Sequence, residues 1–162
     1  MVARFLFLCL IFAACTAQAD VVMRYDDWTG FHEIITPEHE IFRDSRAIMT
    51  VRPVMIIRDG QRQFGILTNI RRRVPNGPVV ETVHAGDIRL QYQMHDRIWS
   101  HCVDGCQRAE VGLIPLTEAA FRAAARTGLP LRVQGRRGRY HGLVPPDLLQ
   151  QVLDANDRLT KH

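Results

Sequence analysis

The sequence predicts a mainly β (α+β) fold: an antiparallel sandwich or partly open barrel with two helices near the C-terminus. Three observations carry this expectation. Two long β-rich runs meet at Asp59-Gly60, a strong hairpin signal. Short apolar segments separated by turn residues fill the chain up to Leu116. Only beyond that point do apolar residues recur at helical spacing.

Taken in order, "DVVMRY" reads as a first short strand. "DDWTGFHEIITPEHEIFRDSR" lacks a clean period and reads as irregular, with Trp28 and Phe31 anchoring it to the core. "AIMTVRPVMIIRDGQRQFGILTNIRRR" is the hairpin, and Pro53 within it argues for an edge position or a bulge. "VPNGP" is a turn, and "VVETVHAGDIRLQYQM" supplies two strands broken at "AGD", with Ile88, Leu90 and Tyr92 on one face. "DRIWSHCVDGCQRAEVGLIPL" reads as a further hairpin. "TEAAFRAAARTG" is a helix with Thr117 as N-cap and Gly128 as its stop. "LPLRVQGRRGRYHGLVP" returns to strand with a turn at "RRG". "PPDLLQQVLDAND" closes as a helix whose buried stripe is Leu148, Leu149, Val152 and Leu153.

The first residues have the form of a secretory signal at 1–19. Arg4 precedes an apolar run from Phe5 to Ala14, and "AQA" precedes Asp20. The run is too short to span a bilayer. "FAAC" at Cys15 offers lipidation as the competing route, with Phe12 where such signals carry an aliphatic residue; cleavage after Ala19 is preferred. The expected mature chain, 20–162, is one β-rich domain without a transmembrane span, placed in the periplasm or outer envelope of a Gram-negative bacterium.

Charge narrows the partner. The chain has 21 basic residues against 17 acidic ones, and Lys161 is its single lysine. Guanidinium forks suit carboxylate and phosphate better than an ammonium does. Two clusters stand out: Arg71 with Arg73, which share a strand face that Arg72 does not, and Arg136, Arg137 and Arg139 around a turn. These are the candidate anion-binding residues, to be weighed against a role as solvated strand edges. An anionic envelope component or another envelope protein is the expected partner. Nucleic acid is not, for an exported chain with no recognised binding motif.

Cys102 and Cys106 carry the other candidate chemistry. A zinc site would need a second ligand pair, and neighbouring His101 points to the opposite strand face from Cys102. A redox couple would need two intervening residues and a helix start. A disulfide across a hairpin fits best. Asp26, Asp27, His32, Glu33, Glu38, His39 and Glu40 gather possible metal ligands, but their spacing matches no HExxH motif, so no metal or cofactor is expected. Beyond the expected signal, the only serines are Ser45 and Ser100, neither within G-x-S-x-G.

From Asp87 onward the order of features resembles the invasion-associated locus B family of exported proteobacterial proteins. The matching stretches are "IWSHCVDGCQRAEV", then "LTEAAFRAAARTGLPLRV" and a final helix, with "DDWTG" similar to an early family element. The family often has a cysteine shortly after that tryptophan; none follows Trp28 here. The resemblance implies an exported β-rich protein linked to the envelope or to host contact, with no catalytic residues to carry over.

The function expected is therefore a non-catalytic, envelope-associated binding or structural protein. The alternative is a small periplasmic hydrolase or metal-dependent enzyme built on the acidic, histidine-containing N-terminal segment.

The Cys102–Cys106 expectation is testable. In a three-residue hairpin loop the last residue adopts the left-handed region, where Gly105 sits. Flanking Cα atoms then lie about 4.5–5.5 Å apart, within reach of a disulfide. Non-reducing peptide mapping should recover the two cysteines linked, and replacing both with Ala should cost about 2 kcal/mol without abolishing folding. Two free thiols, or stoichiometric zinc, would reject the bridge.

Overall fold

The computed structural model describes residues 21–26, 30–73, 79–99 and 107–160. The expected signal with Cys15, Asp27, Trp28, the "VPNGP" turn and the Cys102–Cys106 loop lie outside the described residues.

The central hairpin is formed by β4 (Ala47–Arg58) and β5 (Gln61–Arg73), paired in continuous register from Ala47↔Arg72 to Arg58↔Gln61. Asp59 and Gly60 both have positive φ, 52° and 74°, the twist-matched geometry that "DG" favours. Around this hairpin the larger antiparallel sheet runs β1 (Val22–Asp26), β2 (Phe31–Ile35), β4, β5, β9 (Gln107–Leu116), β8 (Gln93–Trp99), with β3 (His39–Arg43) also on β4. A smaller antiparallel sheet runs β11 (Gly138–Val144), β10 (Leu129–Gly135), β6 (Val80–Ala85), β7 (Ile88–Leu90). The arrangement is sandwich-like and does not close into a barrel.

The segment expected to be irregular instead supplies β2 and β3. Neither strand alternates cleanly, for different reasons. In β2, Ile34 and Ile35 point to opposite faces and both are buried, so burial is not confined to one side. In β3 a register shift between Glu40 and Phe42 sets two adjacent apolar residues, Ile41 and Phe42, in one place.

Pro53 lies in a central strand rather than at an edge, yet the rule behind the expectation holds. β2 pairs with β4 up to Val54 and β3 from Val51 back, so Pro53 stands where the neighbour changes. Its missing N–H faces that break. Thr36 spans it, donating its N–H to the Pro53 carbonyl at 3.1 Å, while Arg52 Nε donates to the Thr36 carbonyl at 2.8 Å.

One face of the larger sheet is covered by two different partners. Towards the Asp59–Gly60 end it meets α1 (Glu118–Thr127) and α2 (Pro146–Leu159), with Phe64 and Phe121 rings 5.1 Å apart. Towards the other end it meets the smaller sheet, with Phe42 edge-on to Tyr140 at 5.6 Å. Both helix ends of α1 match expectation: Thr117 Oγ1 accepts from the Ala120 N–H, and Gly128, at φ 81°, donates its N–H to the Ala124 carbonyl. In α2 the stripe is shifted; Leu148 is half-buried, and Leu149, Val152, Leu153, Ala155 and Asn156 face inward.

Ile88, Leu90 and Tyr92 do not form one buried face. Ile88 is 69% exposed on the edge strand β7. Tyr92 lies beyond β7, where the chain crosses between sheets, and its ring sits over Gly112. Burial pushes its phenol pKa upward, with the Glu110 carboxylate adding to the effect.

Glu110 joins the two sheets. It is 1% exposed on β9, and its carboxylate accepts the Val80 N–H of β6 at 3.0 Å and Arg97 Nε at 3.0 Å. A second joint is steric. A Cβ at Gly142 would fall 2.2 Å from the Ile41 carbonyl oxygen, so the β3 bulge rests directly on β11.

That joint gives a stability prediction. Gly142→Ala forces two backbones apart and should cost about 1–3 kcal/mol in urea unfolding. A change below about 0.5 kcal/mol, the range of ordinary surface substitutions, would show that the bulge does not constrain the packing of the sheets.

Candidate functional site

β3 brings together residues that the sequence does not place side by side. Its C-terminal end and the turn into β4 deliver Arg43, Ser45 and Arg46 next to Arg71 and Arg73 at the end of β5. Together with Asp44, Ala47 and Ile48 they line a hollow of about 230 Å³. That volume has room for a group the size of one phosphate or carboxylate and is smaller than the roughly 300–1,000 Å³ typical of sites for whole organic ligands.

The turn is held by Asp44, whose Oδ1 accepts the N–H groups of Arg46 at 2.7 Å and Ala47 at 2.6 Å. The Arg73 N–H donates to the Arg46 carbonyl at 2.9 Å, so these two arginines are neighbours through their backbones.

The four guanidinium groups differ in how far they are neutralised. Arg43 grips Glu40 with both Nε, at 2.8 Å, and Nη2. That hydrogen bonding lowers the Glu40 pKa and raises that of Arg43. Arg71 Nη2 lies 3.7 Å from Glu38, whose Oε1 also accepts from the Thr50 hydroxyl and from Asn69 Nδ2 at 3.4 Å. Arg71 Nε is shielded from solvent and has no acceptor among the described residues. Arg46 and Arg73 have no carboxylate partner among the described residues.

Arg72 points the other way, as strand alternation requires, and its Nη1 donates to the carbonyl of Arg137. The second predicted cluster therefore lies at the same end of the molecule but across the gap between sheets. There Arg136 stands 3.6 Å from Glu81, and Arg139 Nε donates to Gln134 Oε1 at 2.9 Å. Two larger hollows, about 500 Å³ beside Val80–Gln93 and about 590 Å³ beside the Asp59–Gly60 turn, hold one and two arginines.

Among the described residues, the N-terminal acidic and histidine side chains do not converge. His32 stands opposite Ile57 and His39 opposite Val51, six residues apart along β4, or roughly 20 Å. His32 packs edge-on against Tyr25 at 5.2 Å, and Glu33 is 3.5 Å from Arg24. Phe31 lies under the Arg58 guanidinium rather than in the core. No group of three or more His, Cys, Asp or Glu among the described residues could hold a metal ion. No helix among them is long and apolar enough to cross a membrane.

Of the residues lining this hollow, the sequence singled out Arg71 and Arg73 but not Arg43, Ser45 or Arg46: the bulge in β3 erases the alternation that would have marked Arg43 on a strand, and Ser45 and Arg46 lie in the turn beyond it. Comparison with known protein families, with characterised proteins and with solved structures gives no match.

Glu38 competes with any anion for Arg71. Unit charges about 6 Å apart in water interact by about 0.7 kcal/mol, so Glu38→Gln should tighten inorganic phosphate binding about threefold at low salt. The check is an NMR titration of the variant beside the parent; weaker binding would mean that Glu38 holds Arg71 in place rather than competing for it.

Proposed function

We propose that this chain is an exported, non-catalytic envelope protein that binds an anionic group of an envelope component through Arg43, Arg46, Arg71 and Arg73. One observation carries the reading: four arginines from β3, its turn and β5 surround one hollow, and two of them lack a carboxylate partner among the described residues. The pairing is incomplete, since Arg46 and Arg73 face the hollow without a carboxylate partner among the described residues. Fork-shaped donors in that number suit the oxygens of phosphate or carboxylate. Export rests on the form of residues 1–19. The envelope as destination is also what the resemblance to the invasion-associated locus B family implies. The separation of His32 from His39 gives the alternative of a metal-dependent enzyme at the N-terminal segment less to rest on than the arginine hollow gives an anion-binding role.

Inorganic phosphate titrated into the mature protein should bind saturably at low salt and weaken as salt rises. Arg46→Gln with Arg73→Gln should weaken it by at least about tenfold, since charge-assisted contacts are lost. Absence of saturable binding to the parent protein at low salt would overturn the reading.

A further inference from the structure

Building on that anion-binding reading, we propose that the arginine hollow and the Arg136–Arg139 turn form one rigid platform spanning both sheets. The platform docks on a membrane surface rich in anionic phospholipid, and each cluster meets a different phosphate.

Three contacts fix the turn against the larger sheet. Arg72 donates to the Arg137 carbonyl, the Arg136 N–H donates to the Val79 carbonyl at 2.9 Å, and the adjacent Val80 N–H is held by buried Glu110. The clusters thus flank the same end of the molecule from opposite faces of the larger sheet, separated by more than one inter-sheet spacing of about 10 Å. Neither cluster is fully neutralised: Arg46 and Arg73 on one side, and Arg139 on the other, have no carboxylate partner among the described residues.

A single phosphate in a hollow of about 230 Å³ cannot also reach Arg139 across that gap. Neighbouring headgroups of one surface can reach both. The outer face adds Ile98, 47% exposed, in the same cross-strand row as Ala109 and Arg71. One aliphatic side chain beside a field of arginines suits a lipid interface. A protein partner would call for a larger apolar centre.

The test is co-sedimentation of the mature protein with vesicles of roughly one-third phosphatidylglycerol in phosphatidylcholine, against vesicles of phosphatidylcholine alone, at low salt. Binding should require the anionic lipid. Replacing Arg136, Arg137 and Arg139 together with Gln should weaken it on the order of a hundredfold, from about fivefold per charge. The same variant should keep its inorganic phosphate binding, and replacing the three with Lys should restore most of the vesicle binding. Unchanged vesicle binding in the Gln variant overturns the platform while leaving the phosphate site standing. So does loss in the Lys variant, which would show that positive charge at the turn is not what carries the vesicle binding. Failure of the parent to bind phosphate overturns both.

Discussion

The buried carboxylate of Glu110 is the constraint on which the arrangement of the two sheets depends. A carboxylate in a protein interior is costly unless it is paired and hydrogen-bonded. Here one oxygen takes the backbone N–H of Val80, where the smaller sheet begins, and the other takes Arg97 from the edge strand beside it. A single side chain thus ties the first residue of one sheet to two strands of the other. Arg97 is about half exposed, so the pair draws less from Coulomb attraction than a sealed ion pair would. Its value lies in satisfying Val80 and in fixing where the smaller sheet starts. Val79, the neighbouring residue, accepts from the Arg136 turn, so the position of that turn is inherited from Glu110.

The arginine hollow depends on a different constraint, the broken edge of β4. A continuous partner strand would carry β2 straight along β4 and leave no turn near Arg71. Pro53 has no N–H to offer a continuous ladder, and the neighbouring strand breaks opposite it. Thr36 and Arg52 close the opening, and the chain resumes as β3. The β3 bulge then sets Ile41 against Gly142 and aims Arg43 towards β5. The same irregularity that hides β3 from periodicity creates the site.

Carboxylates temper the cationic end without cancelling it. Glu40, Glu38 and Glu81 each answer one arginine, and the exposed pairs contribute little to stability. Their effect is to fix side-chain orientation and to limit the field, so that the remaining guanidinium groups stand at defined places. A cluster of arginines with no such partners would repel itself and spread.

Local rules sufficed wherever a segment's conformation was set by its own residues. Asp59-Gly60 dictated the hairpin because its backbone favours positive φ, and Thr117 and Gly128 delimited α1 because each satisfies a free helix end. Alternation placed Arg71 and Arg73 on one face and Arg72 on the other, as the sheet confirms. Tertiary structure alone decided the rest. β2 is buried on both faces and β3 is bulged, so neither announces itself by a period of two. The meeting of Arg43 and Arg46 with Arg71 and Arg73 depends on β3 and β5 lying on opposite sides of β4, which sets side by side residues far apart in the chain although these two strands do not pair. The approach of the Arg136–Arg139 turn to Arg72 depends on a buried glutamate whose partners no local pattern specifies, because a side chain's burial is set by what the whole chain packs around it.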